Sequence, residues 1–144
     1  MLDNYFKGCL YFSANRLSRL ITKMAEEEFS PTGLSPTYAF ILMAVYEKEG
    51  ISQKELAEIV HLHQSTITRL IEKLVGKGFL TNQTSGRTSL FFSTDKGKQL
   101  QDIIETCWGN LHKRYAEILG QEKGDALTLE LYETSDLLED HLKS

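Results

Sequence analysis

The sequence lacks several features that mark particular protein classes. No apolar run approaches the roughly 20 residues that a membrane-spanning helix needs, so we expect no association with a membrane. The two cysteines among 144 residues are too few for a disulfide framework and lack the spacing of a metal-binding knuckle. The chain does not begin with a basic segment and a short apolar core, as secretory signals do. We therefore expect a cytoplasmic protein with reduced thiols.

The composition that remains is typical of a globular protein. Hydrophobic residues make up 41% of the chain and charged residues 25%, which argues against disordered and fibrous classes. The net charge is −4, but residues 64–98 carry six basic and two acidic side chains. Because exposed charges are screened beyond about 8 Å at physiological salt, this local excess determines the field near its own surface. The acidic total therefore does not exclude a nucleic-acid partner.

Long amphipathic helices are predicted at both ends of the chain. Apolar residues recur at three- and four-residue spacing over residues 3–29, and the sequence Ser-Pro-Thr-Gly at 30–33 ends this first helix. A fifth helix is predicted over residues 95–119, capped by Thr94 and followed by a glycine. A sixth helix is predicted over residues 123–143. The three helices carry more apolar surface than a domain of about 65 residues can cover.

Two shorter helices, the second and the third, are predicted directly after the first helix. Ser35 as N-cap and Pro36 at the first helical position start the second helix, which Gly50 ends. Its expected buried residues are Phe40, Ile41, Val45 and Tyr46. The sequence Ser-Gln-Lys-Glu at 52–55 matches a capping box and opens a third helix that ends at residue 60.

A fourth helix over residues 64–75 has two chemically different faces. Its apolar face carries Ile67, Leu70, Ile71 and Leu74. At 100° per residue, Ser65, Thr66, Arg69 and Lys73 fall on the opposite face. Such a face suits the major groove of DNA, where arginine binds O6 and N7 of guanine and hydroxyl groups contact phosphates or base edges. The predicted DNA contacts on this helix are Gln64, Ser65, Thr66, Thr68, Arg69 and Lys73.

A β-hairpin is predicted immediately after this helix. Residues 79–84 and 89–93 are short runs with β-forming composition, joined by Ser-Gly-Arg-Thr at 85–88. A helix-turn-helix followed by a hairpin is a winged helix-turn-helix. We predict that Arg87, at the tip of the wing, enters a narrow minor groove, where the negative potential is enhanced.

Residues 34–100 resemble the multiple antibiotic resistance regulator (MarR) family of bacterial transcription regulators. The resemblance is carried by Leu-Ser-Pro-Thr-Tyr at 34–38, Gln-Lys-Glu-Leu-Ala at 53–57, the fourth-helix sequence at 64–74, Gly-Phe-Leu at 78–80, Arg87, and Thr-Asp-Lys-Gly at 94–97. The flanking helices agree in order and length, so the resemblance extends over essentially the whole chain.

The resemblance implies a mostly α (α+β) fold, with a winged helix-turn-helix flanked by dimerisation helices. We expect an N-terminal dimerisation helix at 1–33, the DNA-binding region at 34–98 and C-terminal dimerisation helices at 99–144, all in one intertwined domain. A two-fold dimer of this kind presents two recognition helices about 34 Å apart and reads a pseudo-palindrome in double-stranded DNA. We therefore expect a homodimeric repressor that occludes a promoter.

The wing departs from the family pattern at one position. Many members carry aspartate two residues before the wing arginine, where it orients the guanidinium, and this chain has Ser85 there. Directly before Arg87 stands Gly86 rather than a second basic residue. The departure predicts a weaker or more mobile wing contact. It also leaves an alternative open, a winged-helix protein–protein adaptor without specific DNA binding.

The resemblance further implies a small aromatic or phenolic effector, bound between the dimerisation helices and the winged lobe. The candidate residues for that pocket are Phe12, Arg16, Tyr38 and Met43. A buried ion pair and ordinary core packing explain these residues equally well. No arrangement of a catalytic triad or phosphate-binding loop is visible in the sequence, so we do not expect an enzyme.

The remaining candidates concern thiol and metal chemistry. Cys9 lies in the first helix, where one branch of the family keeps a peroxide-sensing cysteine, but its neighbours do not match that branch and favour a packed side chain. Cys107, beside Trp108 on an apolar stripe, is expected in the core. His61 and His63 have no cysteine or carboxylate at ligand spacing, so we expect no metal and no cofactor.

Overall fold

The computed structural model describes residues 2–144 and contains eight α-helices and a three-stranded antiparallel sheet. The helices are α1 (Leu2–Lys7), α2 (Leu10–Phe29), α3 (Pro36–Glu47), α4 (Gln53–Val60), α5 (Gln64–Gly76), α6 (Asp95–Lys98), α7 (Gln101–Leu119) and α8 (Gln121–Lys143). The strands are β1 (Ile51–Ser52), β2 (Leu80–Ser85) and β3 (Thr88–Ser93), in the spatial order β1-β3-β2. This architecture confirms the predicted winged helix-turn-helix class.

The chain divides into two compact units, Met1–Trp108 and Gly109–Ser144. The first unit contains the helix-turn-helix and the wing, together with most of the buried apolar side chains. Its fully buried residues include Phe29, Ile41, Leu42, Val45, Ile51, Leu56, Ile67, Leu74, Leu80 and Ile104. Among residues 2–144, no helix is both long enough and apolar enough to cross a membrane.

The predicted first helix is in fact two helices. Cys9 adopts an extended conformation, with φ −106° and ψ 114°, between α1 and α2. The Gly8 N–H still bonds to the Asn4 carbonyl oxygen at 3.1 Å, but the Cys9 N–H bonds to Phe6, three residues back. Because glycine is a poor helix former, the helix is least stable here and is interrupted after the six residues of α1.

The second helix begins as predicted, with Ser35 as the N-cap residue and Pro36 at the first position. It ends earlier than predicted, at Glu47, because Lys48 already leaves the helical conformation, with φ −141° and ψ 86°. The Gly50 N–H bonds to the Phe91 carbonyl oxygen at 2.8 Å and leads into β1. The prediction that Phe40 is buried is wrong, since this side chain is 41% exposed. Its ring packs edge-on against Phe29, with the ring centroids 5.8 Å apart, at the margin of the core.

The predicted capping box at the start of α4 is confirmed. The Ser52 hydroxyl oxygen accepts a hydrogen bond from the Glu55 N–H at 3.2 Å, and the Glu55 carboxylate accepts one from the Ser52 N–H at 3.3 Å. Lys48 donates to the same carboxylate, and these hydrogen bonds together lower the pKa of Glu55, with the Lys48 bond contributing most. The box satisfies N–H groups that a helix start leaves unpaired.

The wing is a regular hairpin with a tighter turn than predicted. The strands pair from Leu80 opposite Ser93 to Ser85 opposite Thr88, so only two residues form the turn. Gly86 has a φ of +64°, and glycine with positive φ at the first turn position is typical of a type II′ hairpin turn. The prediction missed β1, whose residues Ile51 and Ser52 pair with Phe91 and Leu90.

The predicted fifth helix is also divided, into α6 and α7. The Thr94 hydroxyl oxygen accepts a hydrogen bond from the Gly97 N–H at 3.0 Å, which confirms the predicted cap. At the end of α6, the Leu100 N–H bonds to the Gly97 carbonyl oxygen, three residues back rather than four. The tighter turn separates a four-residue helix anchored on the wing from the long helix that follows.

Candidate nucleic-acid interface

The helix-turn-helix consists of α4, a three-residue turn and α5. His61 ends α4 in the left-handed conformation, with φ 55° and ψ 46°, and its N–H bonds to the Ala57 carbonyl oxygen. His63 is extended and leads directly into α5. A sharp turn of this kind leaves the first residues of α5 at the surface, where helix N-terminal N–H groups favour phosphate.

The two faces of α5 are separated as predicted. Ile67, Ile71 and Leu74 are buried in the first unit. The candidate DNA contacts Gln64, Ser65, Arg69 and Lys73 are exposed, and Thr66 and Thr68 are half-buried. The structure therefore brings the six candidates of this helix onto one accessible surface, and their contact with DNA stays a prediction.

A hydrogen-bond network joins the beginnings of α4 and α5. The Gln53 side-chain amide donates to the Thr68 hydroxyl oxygen at 2.7 Å and to the Gln64 side-chain oxygen at 3.2 Å. The Thr68 hydroxyl in turn donates to the Gln64 main-chain carbonyl at 2.9 Å. The sequence analysis did not identify Gln53. Its place at the first position of α4, 11 residues before the first position of α5, is the signal that could have found it.

The second candidate surface is the wing. Arg87 occupies the second turn position and is exposed, and most of β2 is exposed as well. At the other end of the hairpin, the Lys96 ammonium lies 4.7 Å from the centre of the Phe79 ring and donates to the Lys77 carbonyl at 2.8 Å. Positive side chains thus occur at both the tip and the root of the wing.

The root of the wing is attached to the end of α3 and the loop that follows. The Glu49 carboxylate accepts hydrogen bonds from the Ser93 N–H at 2.8 Å and the Ser93 hydroxyl at 2.6 Å. The Tyr46 hydroxyl donates to the Gly97 carbonyl oxygen. Burial, together with the negative charges of Glu49 and Glu105, raises the pKa of Tyr46 to about 12. The hydroxyl therefore keeps its proton at neutral pH and holds this bond.

The four candidate effector residues do not lie in one cavity. Phe12 and Arg16 line a groove of about 310 Å³ along α1 and α2. Met43 lines a different groove of about 490 Å³, together with Phe40 and Trp108. Tyr38 is half-buried on α3, outside the lining of these two grooves.

The cysteines occupy different environments. Cys107 is 2% exposed, as predicted, and its burial together with the negative charge of Glu28 raises the pKa of the thiol. Cys9 is half-buried at the break between α1 and α2. In the part of the chain that the structure describes, no group of three or more histidine, cysteine, aspartate or glutamate side chains is arranged to hold a metal ion.

Comparison with known proteins agrees with this geometry. The MarR family model matches residues 34–86. The chain is 30% identical over 105 residues to the HTH-type transcriptional regulator SarZ of Staphylococcus epidermidis, covering 71% of each chain. It is 29% identical over 91 residues to the uncharacterized HTH-type transcriptional regulator YybA of Bacillus subtilis, and this match spans only 61% of the length of YybA.

Solved structures share the fold. The transcriptional repressor CouR bound to a 23-mer DNA duplex superposes with a TM-score of 0.81 and 21% identity, covering 90% of this chain and 94% of CouR. MepR of S. aureus in complex with DNA gives a TM-score of 0.78 and 14% identity, covering 90% of this chain and 98% of MepR. At these identities the likeness establishes the architecture alone.

Proposed function

Because the chain belongs to the MarR family of transcriptional regulators, we propose that it binds a pseudo-palindromic DNA operator as a homodimer and represses transcription by occluding a promoter. The observation that supports this function best is the accessible polar face of α5, opposite a face on which Ile67, Ile71 and Leu74 are buried. In this proposal Arg69 binds guanine in the major groove, with Ser65 and Thr66 beside it. Arg87 binds in the adjacent minor groove.

The proposal is tested by selecting bound duplexes from a random pool and then titrating the enriched duplex at several salt concentrations. We expect a pseudo-palindrome with half-sites about one helical turn apart. Because neutralising phosphates releases counterions, affinity should fall steeply with salt. Arg87→Ala should weaken binding and reduce the salt slope by about one per subunit. A pool that yields no enriched sequence would support the protein–protein adaptor instead.

Homodimerisation is supported by apolar surface at both ends of the chain. Every described residue of α8 is exposed or half-buried, including Leu131 at 46% and Leu138 at 52% exposure. In the first unit, Tyr5, Leu10 and Tyr11 are also exposed. Several large apolar side chains exposed in this way mark interaction sites in proteins. A second copy of the chain, contributing the same helices by two-fold symmetry, would cover it.

We expect that the double substitution Leu131→Glu with Leu138→Glu converts the dimer into a monomer, because it places charges inside an apolar interface. Glu133→Lys is the control, since at 100° per residue it lies away from that stripe and changes the net charge by the same amount with the opposite sign. Sedimentation equilibrium measures the mass. A mass of about 16 kDa for the unaltered protein, whose chain is 16.4 kDa, would contradict the homodimer.

The effector of this regulator is proposed to be a small aromatic compound that binds the groove lined by Met43. The groove is mostly apolar, and its lining comes from α3, from α4 with the turn after it, and from Trp108 on α7. CouR has been solved bound to p-coumaroyl-CoA, and PcaV of Streptomyces coelicolor in complex with its natural ligand. Because Trp108 is the single tryptophan of the chain and lies in the groove, its fluorescence is a direct probe of occupancy.

A further inference from the structure

The hydrogen bonds around Gln53 determine which atom of each side-chain amide faces which partner. The Thr68 hydroxyl has one proton, and it donates this proton to the Gln64 main-chain carbonyl, which can only accept. At its 2.7 Å contact with Gln53, Thr68 can therefore only accept a hydrogen bond. The Gln53 atom at this contact must be the nitrogen, Nε2.

The same reasoning extends to Gln64. Gln53 Nε2 carries two hydrogens, and its second contact, at 3.2 Å, is with the Gln64 side chain. The Gln64 atom at this contact must be an acceptor, which identifies it as Oε1. The network thus fixes the orientation of the Gln64 amide, with one lone pair of Oε1 occupied and both hydrogens of Nε2 available.

Gln64 is the first residue of α5, and its side chain is exposed. In a helix-turn-helix complex the N-terminal residues of the recognition helix contact base edges. An amide with one free acceptor position and a free donor matches adenine, which presents N7 as acceptor and the N6 amino group as donor. Guanine presents two acceptors on the same edge, and its O6 would face the Gln64 oxygen.

We propose that Gln53 is a positioning residue that holds the Gln64 amide in the orientation that selects adenine at one position of each half-site. This inference rests on the proposed function and specifies one base that the regulator recognises in each half-site. If Gln53 is removed, the Gln64 amide is free to turn over and present Nε2 where Oε1 was. Adenine and guanine then become similar partners at this position, while the contacts made by Arg69 remain.

Suitable variants distinguish a purely structural role of Gln53 from its proposed role in positioning the Gln64 amide. The start of α4 is already capped by Ser52 and Glu55, so the helix does not depend on the Gln53 side chain. Gln53→Ala leaves the cap in place and removes both donors. Gln53→Glu keeps the size of the side chain but substitutes acceptors for the donors. Lys54→Gln, on the next residue, changes the net charge by the same amount and controls for general repulsion of DNA.

The test is to repeat the duplex selection with the unaltered protein, with the variants Gln53→Ala, Gln53→Glu, Lys54→Gln and Gln64→Ala, and with the double variant Gln53→Ala with Gln64→Ala. We expect the unaltered protein and the Lys54 variant to prefer adenine over guanine roughly tenfold at one position per half-site. Both Gln53 variants and the Gln64 variant should lose that preference and keep the preferences elsewhere. In the double variant of Gln53 and Gln64, the loss should be no larger than for Gln64→Ala alone.

A second measurement uses the unaltered protein and so does not depend on the variants folding. Replacing the selected adenine with 7-deazaadenine removes the N7 acceptor, and we expect roughly tenfold weaker binding. An unchanged adenine preference in Gln53→Ala, or an unchanged affinity for the 7-deazaadenine duplex, would overturn the positioning role and leave the regulator proposal intact. A failure of the unaltered protein to enrich any sequence would overturn both.

Discussion

Arg69→Ala is expected to weaken binding to the selected operator by about 1–3 kcal/mol, or roughly 5- to 150-fold. Arg69 is exposed in the second turn of α5, on the face opposite the buried Ile67 and Ile71. From that position its guanidinium can bind O6 and N7 of a guanine with two parallel hydrogen bonds. The preference for guanine at that position should relax with the loss of affinity.

Arg69→Lys separates base recognition from general attraction to DNA. Lysine keeps the positive charge but cannot make the paired contact of a planar guanidinium. We therefore expect the lysine variant to retain most of the salt dependence while losing most of the guanine preference. Fluorescence anisotropy on the operator and on a duplex with that base pair changed measures both. If Arg69→Ala binds both duplexes as the unaltered protein does, Arg69 does not read the operator.

Gly97→Ala is expected to destabilise the protein by about 3 kcal/mol or more, because overpacking against main chain cannot be relieved by turning a side chain. A Cβ atom at Gly97 would lie 2.2 Å from the Phe79 carbonyl oxygen and 3.1 Å from its carbonyl carbon. That oxygen also accepts a hydrogen bond from the Thr94 N–H at 3.1 Å. The wing root must therefore move apart from α6 to admit a methyl group.

Gly76→Ala is the matched control for this prediction. Gly76 is also helical and in the same unit, but a Cβ atom there would meet nothing within 4 Å. Alanine is a better helix former than glycine, so we expect no change or a gain of up to about 1 kcal/mol. Urea unfolding followed by circular dichroism gives the free energy of unfolding of each variant. Equal midpoints for the two alanine variants would show that the stability of the fold does not depend on the close approach of Gly97 to the Phe79 carbonyl group.

The sequence predicts elements well where periodicity and end signals agree. The helical spacing of apolar residues in α5 and the capping box of α4 both predict the observed structure. The composition after residue 78 likewise predicts the hairpin. Where glycine interrupts a helical pattern, prediction is weaker. The spacing of apolar residues continues through Gly8, but the main chain does not continue as one helix there. The fifth helix is likewise divided, shortly after Gly97, between α6 and α7.

Other features depend on contacts that are distant in the chain. Strand β1 is two residues long and is defined only by its pairing with β3, about 40 residues later. Phe40 belongs to an apolar run in which every residue fits a buried helix, and only packing decides which side faces out. Gln53 is polar and lies at a helix start, so nothing in its local sequence distinguishes it from a solvated side chain.

The candidate effector residues show a different limit of prediction from sequence. They were assigned by resemblance, and periodicity places each on a helix without saying which helices enclose a common space. Phe12 and Arg16 are on α2, while Tyr38 and Met43 are on α3. Phe12 and Arg16 border one groove, Met43 borders another, and Tyr38 borders neither. The groove that includes Met43 is completed by Trp108, a residue expected to pack in an apolar stripe.

The tight turn of the wing has a mechanical consequence. Each strand of the hairpin has six residues, and at about 3.3 Å per residue the arm from root to tip is about 20 Å long. A two-residue turn adds no further loop residues between the strands, so Arg87 moves together with the strands. Rotating the root by about 5° would carry the tip by roughly 1.7 Å, over half the length of a hydrogen bond. The hydrogen bonds that Glu49 accepts and Tyr46 donates lie at the root of the wing. A small change in angle at the root therefore produces a large displacement of Arg87 at the tip.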